Sequence, residues 1–133
     1  MLTTPQYGWS EIIIGDWYDR CSYLDDVPYK LLEAVDVVNR TGRPYCAKFD
    51  AEGYEYIIAF DVHETHIIHC DFEGEYHYYT IEINIKDLAR ELLSDIRRDL
   101  DLWAEWPFSV SEDEICERKK DLSAWCDVIE KRL

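Results

Sequence analysis

Between Tyr45 and Ile83, β-branched and aromatic residues come in four short runs, and no more than three residues separate one run from the next. This spacing constrains the fold more than any other feature of the chain. A parallel connection needs roughly a dozen residues or more, so strands joined this tightly can only be antiparallel neighbours. The runs are Tyr45 to Asp50, Tyr54 to Val62, Thr65 to Phe72 and Tyr76 to Ile83. Ala51-Glu52-Gly53, His63-Glu64 and Glu73-Gly74-Glu75 supply the polar turns between them, the first and last of which carry a glycine. The expectation is a four-stranded antiparallel meander.

Helical signals flank the meander on both sides. Val27, Leu31, Val35 and Val38 recur at helical spacing, which predicts a helix from about Pro28 to Arg40. Asp25 and Asp26 suit its start, Gly42 can take a left-handed C-terminal position, and Pro44 prevents its resumption. Leu88, Leu92, Ile96, Leu100 and Trp103 predict a second helix from about Lys86 to Ala104, capped by Asn84 and stopped at Pro107. Ser111-Glu112-Asp113-Glu114 is a capping box that opens a third helix through Leu122, Trp125 and Ile129. Upstream, residues 1–10 read as an irregular lead-in, Glu11 to Ile14 as a brief edge strand, and Trp17, Tyr18 and Tyr23 as loop aromatics. The fold class expected is α+β: one domain over residues 1–133, one helix, a four-stranded meander, and two helices packed on one face.

Alternation along the strands separates two faces. Tyr45, Ala47, Phe49, Ile58, Phe60, Val62, Ile68, Cys70, Phe72, Tyr79, Ile81 and Ile83 form the expected core face. Asp50, Glu55, Ile57, Ala59, Asp61, Thr65, Ile67, His69, Asp71, Tyr76, Tyr78, Thr80 and Glu82 form the other. On that second face aromatic and apolar centres are bordered by carboxylates.

The charge pattern bears on partners. From Phe49 to Ile85 there are nine carboxylates and no Lys or Arg, and five of the ten tyrosines and all four histidines lie in this stretch. The whole chain carries a formal charge of −15, from 29 carboxylates against 14 Lys and Arg. Such an excess repels nucleic-acid backbones and anionic membranes, and it favours a basic partner or simple solubility. No run of about 18 apolar residues exists to span a membrane. The N-terminus lacks a basic segment followed by an apolar run, and the five cysteines include no CxxC pair. Reduced thiols in a cytosolic protein are expected, most of them buried as small hydrophobes.

Chemical motifs are sparse. His63, His66, His69, Cys70 and His77 are residue types that suit zinc, yet strand alternation sends His66 and His69 to opposite faces and no HExxH occurs. No metal or other cofactor is expected. GxSxG, GxGxxG and GxxxxGK are absent, and no signal singles out one acid–base pair among so many carboxylates. A non-enzymatic role follows as the expectation. The acidic, tyrosine-bearing outer face then carries the candidate site, centred on Tyr76 and Tyr78 and rimmed by Glu55, Asp61, Asp71 and Glu82. It reads either as a solvated half-sheet, open or covered by the third helix, or as a surface for a basic protein.

In size, acidity and α+β build the chain resembles the small immunity proteins of bacterial polymorphic-toxin and contact-dependent-inhibition systems. Leu88-Ala89-Arg90-Glu91-Leu92-Leu93, followed by Trp106-Pro107-Phe108, is similar to a helix and corner near the C-terminus of some such domains. The resemblance implies a cytosolic non-enzyme that binds and blocks one cognate toxin domain, often a basic nuclease. Two alternatives remain from the residues alone. A nucleic-acid-mimicking inhibitor would carry carboxylates at phosphate spacing over a long surface. A small enzyme would show a deep pocket with converging polar groups.

Overall fold

A computed structural model describes residues 1–107 and 110–133. Its order is β1 (Trp9–Ile14), β2 (Trp17–Ser22), α1 (Val27–Thr41), β3 (Tyr45–Asp50), β4 (Glu55–Phe60), β5 (Glu64–Cys70), β6 (Tyr76–Glu82), α2 (Ile85–Arg98), α3 (Leu100–Ala104) and α4 (Glu112–Arg132). The strands from β3 to β6 form a four-stranded antiparallel meander in sequence order, and β1 with β2 forms a separate hairpin. The α+β class and the meander expected from the short connections are both present.

Local chemistry sets the helix ends. Gly42 closes α1 at φ 67°, and its N–H donates to the Val38 carbonyl. The Asn84 side chain accepts from the N–H groups of Lys86 and Asp87 to start α2. Ser111 Oγ accepts from the Glu114 N–H to start α4. The second helix differs from its expected form, because it breaks at Asp99 into α2 and α3. At Asp99 the backbone leaves the helical range, at φ −116° and ψ 31°, and its carboxylate accepts from Thr4 Oγ1 at 3.0 Å and from Arg98 Nε at 2.9 Å. The break turns Trp103 fully into the core. Phe108, the last residue of the Trp-Pro-Phe corner, lies outside the described residues.

The N-terminal part also differs. Trp17–Ser22 is not a loop but the second strand of a hairpin, with Gly15 at φ 57° in the turn. This hairpin lies across the inner face of the sheet. Trp17 meets Tyr56 edge-on at 5.4 Å between centroids, the Tyr56 hydroxyl donates to the Arg20 carbonyl at 2.8 Å, and His69 pairs with Asp19 at 3.0 Å. The Tyr54 hydroxyl also donates to Asp19, and burial together with that bond pushes the Tyr54 pKa up to about 12. Helix α1 covers the β3–β4 part of the same face, and α4 packs on α1, α2 and α3. One contiguous core results, with Phe49, Tyr56, Ile58, Phe60, Leu31, Leu32, Ile12, Ile14, Leu92 and Trp103 all fully buried.

Strand β5 corrects the expected faces. Phe60 pairs with Thr65 and Ile58 with Ile67, and directly paired residues share a face. Thr65 and Ile67 are therefore buried and His69 faces inward, while Ile68 and Cys70 face outward. Phe72 is 71 % exposed and lies over the β3–β4 turn, where a Cβ on Gly53 would come within 2.5 Å of its ring. Of the cysteines, only Cys21 and Cys126 are buried; Cys46 and Cys116 reach the surface.

The inward turn of Thr65 gives a stability prediction. Its hydroxyl is buried and has no hydrogen-bond partner. Thr65→Val keeps the shape and removes the desolvated group, so it should stabilise the fold by about 1 kcal/mol in urea unfolding. Destabilisation by that amount would mean the hydroxyl is satisfied.

Candidate protein-binding face

The register places the outer face residue by residue. Asp50, Glu55, Cys70 and Tyr76 form one row across the four strands; Lys48, Ile57, Ile68 and Tyr78 form the next; Cys46, Ala59, His66 and Thr80 form the third. Glu64 and Glu82 stand opposite each other beyond them. None of these residues is buried. The third predicted helix, α4, packs among the other helices and leaves this face open. Tyr76 and Tyr78 are 62 % and 72 % exposed, and their neighbours Ile57 and Ile68 give the face an apolar centre.

The six predicted site residues do not share one setting. Tyr76, Tyr78, Glu55 and Glu82 lie on the outer face. Asp61 and Asp71 lie just past the ends of β4 and β5, in the turns. Asp61 Oδ1 accepts from the Val62 N–H at 2.6 Å. Asp71 accepts from the N–H groups of Glu73 and Glu75, both at 2.9 Å, and pairs with His77 Nε2 at 2.9 Å. The His77 bond, with those backbone donors, holds the Asp71 carboxyl below the usual carboxylate range. Asp71 thus shapes its turn as well as charging it. Glu55 is paired with Lys48 at 2.8 Å, the one Lys or Arg on the outer face among the described residues, and that hydrogen bond, with the Glu55 charge, raises the Lys48 pKa.

Glu64 and Glu82 are unlike these. Like charges directly opposite in a sheet oppose folding, and the His66 ring approaches the Glu64 carboxylate at 3.0 Å. A cation set over the pair would relieve that repulsion. Sequence reading placed Glu82 on the face but passed over Glu64 and put Ile68 in the core. It also missed Asp16 and Trp17, which border β6 in a groove of about 650 Å³ with Tyr78, Tyr79, Thr80, Ile81 and Glu82. The signal for them was the Ile14-Gly15-Asp16-Trp17 string, a two-residue hairpin turn between apolar flanks.

Asp71, Glu75 and His77 converge closely enough to share a cation, with Glu75 and His77 exposed. The Asp71–His77 bond and the turn donors already account for this geometry. Among the described residues no helix is long and apolar enough to cross a membrane. No family model, curated protein or solved structure matches the chain.

Proposed function

We propose that this chain is a cytosolic immunity-type protein that binds and neutralises a cognate basic toxin domain of the nuclease kind, using the outer face of its sheet. The observation that carries the reading is the open face itself: two exposed tyrosines beside Ile57 and Ile68, with carboxylates at both ends of the strands. Tyrosines give large contact area at low entropic cost, so they suit the centre of an interface. A formal charge of −15 favours encounter with a basic protein. A cationic partner set over the opposed Glu64 and Glu82 would relieve their repulsion. The proposed activity is binding, with no turnover.

The two kinds of residue should separate in kinetics. Rim charges act over a Debye length of roughly 8 Å, so they set association; tyrosines act on contact, so they set dissociation. The partner is captured from the host, identified, and measured against parent and variants at two salt concentrations. Glu55→Lys with Glu82→Lys should slow association and flatten its salt dependence. Tyr78→Ala should weaken binding by about 2 kcal/mol, close to thirtyfold, mostly through dissociation. Circular dichroism establishes that each variant is folded. An acidic partner, or folded variants that bind like the parent, would sink the reading.

A further inference from the structure

We propose that the free edge of β6 accepts an extended basic segment of the partner as an added strand, a proposal that rests on the basic-partner reading above. The two outer edges of the sheet are treated differently. At β3 three outward backbone groups, all toward its C-terminal end, are occupied: Lys30 Nζ donates to the Lys48 carbonyl at 2.6 Å, the Asp50 N–H donates to Asp25 at 2.6 Å, and Ser22 Oγ donates to the Asp50 carbonyl at 3.3 Å. At β6 the edge is open. Bonds from Asp71 N to Glu75 O and from Ile83 N to His63 O fix the phase of the β5–β6 ladder. Odd-numbered residues of β6 therefore bond to β5, and the N–H and C=O groups of Tyr76, Tyr78, Thr80 and Glu82 point outward.

Exposed edges are usually blunted by Lys, Pro, a bulge or a covering element. β6 reads Tyr-His-Tyr-Tyr-Thr-Ile-Glu, has no such guard, and every residue but Ile81 is exposed. The groove between this edge and the hairpin turn runs past Tyr78 to Glu82 and is closed on its far side by Asp16 and Trp17. A strand laid there would make backbone bonds for affinity and place alternate side chains on opposite sides. On the outer side they meet Glu82 and Glu64, which select Lys or Arg. On the inner side they meet Trp17, which selects an apolar residue. A second copy of this chain is the wrong occupant, because each copy brings a charge of −15 and the same carboxylates.

The probe is a capped seven-residue peptide of alternating Lys and Val, titrated into the whole chain by amide NMR. Thr80→Pro removes an outward N–H and no bond to β5, so the sheet tolerates it; Thr80→Val controls for the hydroxyl. Thr80→Pro should weaken the peptide about tenfold or more, Thr80→Val should not, and amides of Tyr78 and Thr80 should exchange about tenfold more slowly in the complex. Methylating alternate amides of the peptide should weaken it to the same degree, an arm that needs no variant to fold. Equal binding by Thr80→Pro and by the methylated peptide overturns strand addition and leaves the basic-partner reading standing. Equal binding of an alternating Glu and Val peptide overturns the basic occupant instead.

Discussion

Trp103→Ala is expected to cost about 4 kcal/mol of stability. Trp103 is fully buried on the short helix α3, and its ring lies 4.9 Å from that of Trp106. Truncation removes the largest of the fully buried side chains and leaves a cavity among groups that relax only in part. The melting temperature should fall by roughly 10 to 15 °C. Trp103→Phe is the informative companion. The indole N–H is buried without a hydrogen-bond partner, so Phe discards a desolvated donor while keeping most of the ring contact. Its cost should be about 1 kcal/mol, far below that of Ala. Similar losses for both variants in urea unfolding would mean the N–H has a partner and that the cavity is not the main term.

Arg118→Ala should be nearly as damaging, by about 3 kcal/mol. One guanidinium joins three helices. It forks onto Asp26 at 2.9 and 3.1 Å, donates to the carbonyls of Ala104 at 3.2 Å and Trp103 at 3.3 Å, and lies 5.1 Å from the Tyr29 ring centroid. Those carbonyls lie at the end of α3, and that of Trp103 also accepts from the Trp106 N–H at 3.3 Å. Asp26 is 41 % exposed, so its own charge recovers water when the pair is lost, and the backbone bonds and ring contact carry much of the effect. Arg118→Lys tests this. A lysine keeps the charge but not the planar fork, and should lose at least about half as much as Ala. Full stability in the Lys variant would reduce the contact to a simple ion pair.

The sequence discloses parts of this fold that short-range chemistry decides. Gly42, Asn84 and Ser111 act through bonds to residues within four positions, and each does what its type and place imply. The meander was legible because its turns are too short for anything else. β2 was not, because Trp-Tyr-Asp-Arg-Cys-Ser shows no apolar alternation. Its inward Asp19 makes sense only once Tyr54 and His69 are beside it, and both are more than thirty residues away. The face of β5 was misread for a related reason: Thr65, Ile67 and His69 look no more buried than Ile68 and Cys70 until the partner strand is in register. For the candidate site, Tyr76, Tyr78 and Glu82 were legible as alternate residues of one strand. The Glu64 opposition and the Trp17 border depend on pairing and on the hairpin, which no local pattern reports.

The hairpin also bears on how the chain is made. Its turn reaches Ile81, where a Cβ on Gly15 would stand 3.0 Å from the side chain. Just before it, the Leu2 N–H bonds Asp95, and farther along Asp26 waits for Arg118 and Asp36 for Arg132, partners 93, 92 and 96 positions apart. A chain emerging from the ribosome makes its first strands long before the residues they close upon exist. The meander can pair as it emerges and close on α1 and the hairpin, but α1 keeps its other side uncovered until α2 and α4 arrive. Completion of this fold is therefore a late event of synthesis, and a chain interrupted after β6 exposes the surface most prone to aggregate.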